Sequence, residues 1–227
     1  MTRRAQKRRR KIDAIIESAV AAFRMHGYHG TSMEQIADQL LMTKGSLYYY
    51  FRDKEEILFA AHDRALDRIL AELDRVRSGS GCPCAQVEAL IRAHIRVMVE
   101  GFHGTALALE FGVLSSRRLR AVVAKRDRFE RGLRDLITAG VRAGCFRASD
   151  PKLTGLAILG SINWIARWHR PDGPSGAGEV AQRFLDVFMG GLLPRSAAWE
   201  RARLRLVGSP PVGQGRGRRV AAAGRNR

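Results

Sequence analysis

The spacing of the apolar residues constrains the fold of this 227-residue chain more than any other feature. Apolar side chains recur at intervals of three and four along most of its length, and no stretch alternates apolar and polar residues as a half-buried strand does. In the first helix the apolar residues fall on one stripe: Ile12, Ile15, Ile16, Ala19 and Phe23. The pattern therefore predicts an all-α protein.

Capping residues set the predicted helix boundaries. Thr31 and Glu34 fit the S/T-x-x-E capping box, Thr43 caps a short helix, and Asp150 before Pro151 opens another. The clearest break is SGSGCPC at 78–84, which is rich in Gly and Ser. The predicted helices are 7–26, the segment TSMEQIADQL, 44–50, 53–77, 85–101, 104–114, 116–143, 151–169 and 178–193.

The net charge of +18 is concentrated at the two ends of the chain. Residues 1–11 carry seven cations, and residues 195–227 carry nine arginines and one acid, which leaves +3 for residues 12–194. Basic tails bind polyanions, either nucleic acid or an anionic membrane, although a tail of this kind can also be merely solvated. Periodicity fades in 195–227, and we expect disorder from roughly residue 208 onward.

Several protein classes find no support in the sequence. No apolar run approaches the ~18–20 residues of a membrane span, and the basic N-terminus is not followed by a signal-peptide core. The odd count of three cysteines argues against a disulfide framework and for a cytoplasmic protein. No catalytic constellation, cofactor motif or metal-ligand spacing is present, so neither a catalytic site nor a metal or cofactor site is predicted. Asn163, His94 and His103 lie among apolar residues, where a satisfied buried hydrogen bond is the expected role.

The segment TKGSLYYYF, residues 43–51, predicts the second helix of a helix-turn-helix. Leu47 and Phe51 are spaced to anchor this short helix in the core, which turns Tyr48 and Tyr49 outward. The N-terminal residues of such a helix enter the DNA major groove. Tyr50 is open to two interpretations, a DNA contact or packing on the first helix. The remaining polar contacts expected with phosphates involve Thr43, Ser46 and Lys54, with Gly45 permitting close backbone approach.

The segment TSMEQIADQLLMTKGSLYYYFRDKEEIL resembles the DNA-binding domain of TetR-family transcriptional repressors. The resemblance implies a homodimer that places two recognition helices in successive major grooves of a near-palindromic operator, and a C-terminal domain that senses a small molecule. It also implies a set of DNA contacts by position: Thr31, Ser32, Lys44, Gly45, Ser46, Tyr48, Tyr49, Tyr50 and Lys54.

Two positions depart from the family pattern. Leu41 stands where the turn often has glycine, so the turn requires either a left-handed non-glycine residue or a shifted geometry. Tyr50 replaces a common histidine.

The chain is accordingly divided into a helix-turn-helix DNA-binding domain at 8–68, a helical ligand-binding and dimerisation domain at 69–194, and a basic tail at 195–227. The last two predicted helices present apolar residues that could pair with a second copy as a four-helix bundle, or could form ordinary core within the chain. These predicted interface residues are Leu156, Leu159, Val180, Phe184, Val187 and Phe188.

The combination of Asn163-Trp164, Trp168 and Pro171-Asp172-Gly173 is similar to the C-terminal domain of TetR-family regulators of fatty-acid and sterol catabolism. That similarity implies an acyl-coenzyme A effector that releases the protein from DNA. An acyl chain needs an apolar tunnel, whose predicted lining could equally be plain core: Phe102, Leu107, Phe111, Leu114, Ile158, Ile162, Ile165 and Trp168.

The sequence thus predicts a ligand-responsive transcriptional repressor. The alternative is a sequence-nonspecific architectural DNA- or RNA-binding protein driven by its basic tails. A third interpretation, an enzyme acting on acyl compounds, has no residues in its favour.

Overall fold

A computed structural model describes residues 2–99, 111–147, 149–170 and 173–194. The described residues form helices and turns without strands, and the all-α prediction is confirmed. The helices are α1 (Arg3–His26), α2 (Met33–Gln39), α3 (Lys44–Tyr48), α4 (Lys54–Ser78), α5 (Pro83–Val99), α6 (Ser116–Arg142), α7 (Pro151–Trp168) and α8 (Ala177–Leu192). The predicted helix at 104–114 falls largely outside the described residues, and its last part, 111–114, is a turn.

Helices α1, α2 and α3 form the N-terminal part of the fold, with α4 behind them. Helix α1 starts at Arg3, earlier than the predicted residue 7, because Thr2 caps it. The basic residues expected in an N-terminal tail therefore lie on an ordered helix. Gly27 ends α1 with a positive φ of 74°, which glycine adopts without strain.

The capping box at the start of α2 lies one residue later than predicted. Ser32, not Thr31, is the N-cap: its hydroxyl accepts from the Gln35 N–H at 3.2 Å, and the Gln35 side chain accepts from the Ser32 N–H at 2.8 Å. Thr31 is buried, and its hydroxyl donates instead to the Gly27 carbonyl at 2.9 Å. Two adjacent hydroxyl residues allowed both registers, and the structure shows the one with Ser32 as the cap.

The turn between α2 and α3 uses a left-handed leucine. Leu41 has a φ of 51°, and its side chain is 97% exposed, so the apolar side chain gains almost nothing from burial. This is the first of the two geometries that the absence of glycine allowed. A left-handed conformation costs an L-residue roughly 1–2 kcal/mol.

Leu41→Gly is therefore expected to stabilise the protein by about 0.5–1 kcal/mol, since glycine relieves the strain but adds chain entropy to the unfolded state. Urea denaturation would measure the gain. Leu41→Ala is the matched control, because it removes the same side chain and keeps the strain, and it should give no gain. Equal stabilisation by both variants would show that the exposed leucine side chain, and not its left-handed φ, destabilises the wild-type protein.

The C-terminal part is built on a triangle of long helices, α4, α5 and α6, each packed on the other two. Helix α8 packs on α5, and α7 packs on α6 and α5. Because α4 also packs on α1, the same 25-residue helix supports the helix-turn-helix at one end and the C-terminal bundle along its length. A movement of α4 would reach both.

Candidate nucleic-acid interface and effector domain

The short helix α3 is held in place by two buried anchors. Leu47 and Phe51 are buried, as their spacing predicted, and the Thr43 hydroxyl caps the helix by accepting from the Ser46 N–H at 3.2 Å. The opposite face exposes Tyr49 (71% exposed) and Tyr48 (43%). Thr43, Lys44, Gly45 and Ser46 lie at the same surface, none of them buried. The residues of α3 that were predicted to face DNA are therefore accessible to a partner.

Tyr50 belongs to two environments at once. It is half-buried and packs against the core, and its ring meets that of Tyr49 edge-on at 5.1 Å between centroids. Together the two rings border a cleft of about 530 Å³ whose other wall is the basic start of α1. The residues of that wall are Arg4, Lys7, Arg8, Arg10, Lys11 and Ala14. Five cations beside exposed tyrosines favour a phosphate-bearing partner.

Lys54, which the sequence predicts to contact a phosphate, is bound to backbone carbonyls in the free protein. Its ammonium donates to the carbonyls of Tyr28 and Thr31, each at 2.8 Å, and lies near that of His29 at 3.4 Å. It also sits over the Tyr28 ring, 4.6 Å from the centroid. A lysine has three N–H donors, and all three have a partner here. Lys54 therefore fastens the loop after α1 to the start of α4, and the Thr31 side chain is buried beside it.

Lys44 remains accessible at the start of α3. It forms an ion pair with Glu34 and lies 5.8 Å from the centroid of the Tyr48 ring. Both charged groups are exposed to solvent, so a phosphate can compete for the lysine.

A row of ion pairs joins α4 to α6, and the sequence analysis missed it. Arg118, near the start of α6, meets Glu55 at 3.0 Å and Asp53 at 3.5 Å, directly after the recognition helix. Further pairs along the two helices are Lys125 with Asp63 and Asp67, Arg128 with Asp74, and Arg77 with Asp135. A signal for these pairs was present in the sequence. Acidic residues recur on α4, and basic residues on α6, at intervals of roughly one or two helical turns.

Glu55 acts as a cap for α6 from outside that helix. Ser115 occupies the N-cap position without capping through its own side chain, and its backbone N–H donates to the Glu55 carboxylate at 2.9 Å. That N–H, together with Arg118, holds the pKa of the Glu55 carboxyl below its ordinary value. The first turn of α4 is thereby fixed to the first turn of α6.

Two histidines occupy the interior of the C-terminal helices. His62 on α4 and His94 on α5 are both buried. Within the described residues, both ring nitrogens of His62 and Nε2 of His94 lack a hydrogen-bond partner. The prediction that His94 forms a buried hydrogen bond is therefore wrong for Nε2. Burial, and then the nearby Arg126 cation, lower the pKa of His62 to about 4 and that of His94 to about 3. Both rings are therefore neutral at physiological pH.

These pKa values predict acid sensitivity of the folded protein. The histidines of the unfolded chain bind protons near pH 6.5, whereas those of the folded protein do not. The stability of the folded protein is therefore at its full value above pH 6.5. It falls by about 1.4 kcal/mol per pH unit for each ring as the pH drops towards 4. Urea denaturation at pH 7.5, 5.5 and 4.5 would measure the slope. A double variant, His62→Leu with His94→Leu, should flatten it, and an unchanged slope in that variant would assign the acid sensitivity to carboxylates.

The predicted tunnel residues separate into three groups. Leu114, Ile158, Ile162 and Ile165 are buried, and Phe111 is half-buried against the core. Trp168 is nearly half exposed and stacks on Phe184 at 6.4 Å, so it lies at the surface and not in the interior. Phe102 and Leu107 fall outside the described residues.

The predicted dimerisation residues lie mostly on one exposed apolar face of α7 and α8. Leu156 and Val187 are exposed, and Leu159, Phe184 and Phe188 are half-buried. Val180 is the exception, because it is buried against the intrachain core. Leu153 and Trp164 extend the exposed face, although the sequence analysis did not assign them to it.

Within the residues that the structure describes, no three His, Cys, Asp or Glu side chains are grouped so that they could hold a metal ion. Among the same residues, none of the helices is both long and apolar enough to cross a membrane.

The chain matches known proteins over both halves of its length. Residues 15–61 match the family model of bacterial regulatory proteins of the tetR family, and residues 80–192 match that of the tetracyclin repressor-like C-terminal domain. The crystal structure of the TetR-family transcriptional regulator PfmR from Thermus thermophilus superimposes with a TM-score of 0.72 at 34% identity, covering 80% of this chain and 99% of that one. The chain belongs to the TetR family of transcriptional regulators.

Two further TetR-family relatives are informative. The transcriptional repressor KstR2 of Mycobacterium tuberculosis is 26% identical over 182 residues, which cover 78% of this chain and 90% of the relative. The crystal structure of AibR in complex with isovaleryl coenzyme A and operator DNA superimposes with a TM-score of 0.70 at 26% identity, covering 78% of this chain and 96% of that one. The resemblance inferred from the sequence is thus confirmed. These relatives are regulators, and the enzyme interpretation is set aside.

Proposed function

We propose that the protein is a ligand-responsive transcriptional repressor. It binds a near-palindromic operator as a homodimer in the cytoplasm, and a hydrophobic small molecule, an acyl-coenzyme A thioester, releases it. The observation that carries the proposal is a direct connection between the DNA-binding helices and the helices of the ligand-binding domain. The exposed face of α3 leads into Asp53 and Glu55, which are bound to Ser115 and Arg118 of α6.

The connection supports a two-state mechanism. An effector among α4, α5 and α6 would bind one arrangement of those helices better than the other, and α4 would carry the difference to the recognition helices. Two recognition helices bind DNA together only when they are about one helical turn apart, ~34–36 Å. The exposed apolar face of α7 and α8 supports pairing with a second copy, and the named relatives support the DNA and thioester ligands.

A fluorescence-anisotropy titration tests the proposal. The probe is DNA from upstream of the protein's own gene against a scrambled competitor at ~150 mM salt, with and without a panel of acyl-coenzyme A thioesters. Selective binding lost on adding one thioester is the expected result. Selective binding that no thioester weakens would overturn the effector class alone. Equal affinity for both DNAs that is lost with residues 195–227 would favour the tail-driven architectural alternative.

Arg118→Met is expected to weaken the coupling between effector and operator. The methionine keeps the aliphatic packing but removes the two ion pairs to the start of α4, leaving only the Glu55–Ser115 hydrogen bond there. Operator affinities with and without the releasing thioester should therefore converge several-fold. Arg128→Met is the matched control, because it breaks a pair in the same row near the far end of α4. If both variants respond to the thioester as wild type does, the row of ion pairs is structural only.

A further inference from the structure

The junction between α4 and α5 carries a pair of cysteines that the proposed function does not use. Cys82 directly precedes α5, and Cys84 lies in the first turn of that helix. Both are free thiols, and their sulfur atoms lie 2.9 Å apart. The sulfurs of a disulfide are about 2.05 Å apart, so an approach of less than about 1 Å would bring this pair to bonding distance.

Backbone and side-chain hydrogen bonds hold the pair in place. The Cys82 carbonyl accepts a hydrogen bond from the Gln86 N–H at 3.0 Å, which begins the helical ladder of α5. The Gln86 side-chain amide donates to the carbonyls of Val76 and Gly79, each at 3.1 Å. The first turn of α5 is thereby fastened to the end of α4, and the two thiols are kept together by the fold as well as by the short spacing in the sequence.

The two thiols differ in exposure and in acidity. Cys82 is exposed, whereas Cys84 is half-buried and packs against the core. The Cys84 thiol, and then the Ala85 N–H, lower the pKa of the Cys82 thiol below its ordinary value. Contact with Cys82, and then burial, raise the pKa of the Cys84 thiol. Because the thiolate is the reactive form of cysteine, the accessible Cys82 is the better nucleophile of the two.

We propose that Cys82 and Cys84 form a modification site at which a hydroperoxide oxidises the two thiols to a disulfide, with Cys82 as the attacking sulfur. The inference goes beyond the proposed function and does not depend on it, because the reaction needs no DNA, effector or second copy of the chain.

The reaction with hydrogen peroxide takes two steps. The Cys82 thiolate attacks one peroxide oxygen, the O–O bond breaks, and the departing hydroxide takes up a proton to become water. Cys82 is then a sulfenic acid. The Cys84 sulfur attacks the Cys82 sulfur, the S–O bond breaks, and the hydroxide that leaves takes the Cys84 proton to form a second water. Two thiols are thus oxidised to one disulfide while one peroxide is reduced to two waters.

Peptide mass mapping of the full-length protein tests the site. Trypsin cuts after arginine, so it releases Cys82 and Cys84 together in peptide 78–92. It releases Cys145, the third cysteine, in peptide 143–147. The reduced protein is treated with a small excess of hydrogen peroxide, alkylated with iodoacetamide and digested. We expect peptide 78–92 to be lighter by two hydrogens and unlabelled, while Cys145 is labelled, and dithiothreitol should restore both missing labels.

Variants assign the role of each sulfur. Cys84→Ser should stop the reaction at the Cys82 sulfenic acid, which dimedone traps. Cys82→Ser should leave Cys84 reduced and open to iodoacetamide. Cys145→Ser is the matched control, and it should form the disulfide as fast as the wild type does.

The unfolded chain provides the control for geometry. The folded wild-type protein should form the disulfide at least tenfold faster than the same protein in urea, because only the fold holds the two sulfurs together and exposes the more acidic one. This comparison needs no variant, so it decides the matter even if a serine variant fails to fold.

Three results would overturn the inference. Equal rates in the folded and the urea-unfolded protein would show that the structure contributes nothing to the reaction. A disulfide that joins peptide 78–92 to peptide 143–147 would replace the proposed pair by a bond to Cys145. Full iodoacetamide labelling of Cys82 after peroxide treatment would show that this thiol does not react.

Discussion

Tyr49→Ala is expected to weaken operator binding by about 1–3 kcal/mol, which is roughly 5- to 150-fold in Kd. The ring is 71% exposed on the outer face of α3, so it contributes little to the core and is free to meet DNA. Tyr50 supports it edge-on, which limits the side-chain entropy lost on binding. Fluorescence anisotropy with operator and scrambled DNA measures the change.

The fold should be insensitive to the same substitution. Helix α3 is anchored by Leu47 and Phe51 and capped by Thr43, none of which depends on Tyr49. The Tm is therefore expected to stay that of the wild type. Tyr49→Phe separates the hydroxyl from the ring, and Met25→Ala removes another exposed apolar side chain from α1 as a control. Wild-type operator affinity in Tyr49→Ala would exclude Tyr49 from the interface.

Lys54→Met is expected to destabilise the protein by about 1.5–3 kcal/mol, the range for hydrogen bonds to a charged group. The methionine leaves the carbonyls of Tyr28, His29 and Thr31 without their donor and releases the loop after α1 from α4. The loss should appear without any DNA present, in urea denaturation of the free protein. A direct phosphate contact would behave differently, with unchanged stability and lower operator affinity.

Lys44→Met provides the crossed control. Lys44 is exposed and paired on the surface with Glu34, so its replacement should leave the stability unchanged. If it neutralises one phosphate, the slope of log K against log salt for operator binding should fall by about one. Loss of stability in Lys44→Met, with wild-type stability in Lys54→Met, would exchange the roles given to the two lysines.

Much of the N-terminal architecture was accessible from the sequence because it depends on neighbours along the chain. The i, i+4 spacing of Leu47 and Phe51 correctly predicted which face of α3 is buried and that Tyr48 and Tyr49 face outward. Helix caps at Gly27, Thr43 and Asp53 are also local, since each joins groups within a few residues of one another. For Leu41 the sequence narrowed the turn to two geometries, and the structure shows the left-handed one.

Features that depend on packing were predicted less well. Val180 and Val187 lie on the same helix and have the same chemistry, yet one is buried against the core and the other is 72% exposed. Periodicity shows that a helix has an apolar face, but not whether a given apolar residue meets its own chain or a second copy. Trp168 shows the same limit, because it was predicted to line a tunnel, whereas its ring is nearly half exposed and stacks on Phe184.

The amino-acid sequence by itself determined the helices, the exposed face of α3 and the family, because these depend on spacing, capping and a local motif. Only the tertiary structure decided which charges and polar groups meet. It brought Lys54 to carbonyls 23 to 26 residues earlier, Arg118 to the start of α4, and His62 and His94 to Arg126. The physical reason is distance: electrostatic and hydrogen-bond energies depend on separation in space, and helices that are remote in sequence acquire that separation only when they pack.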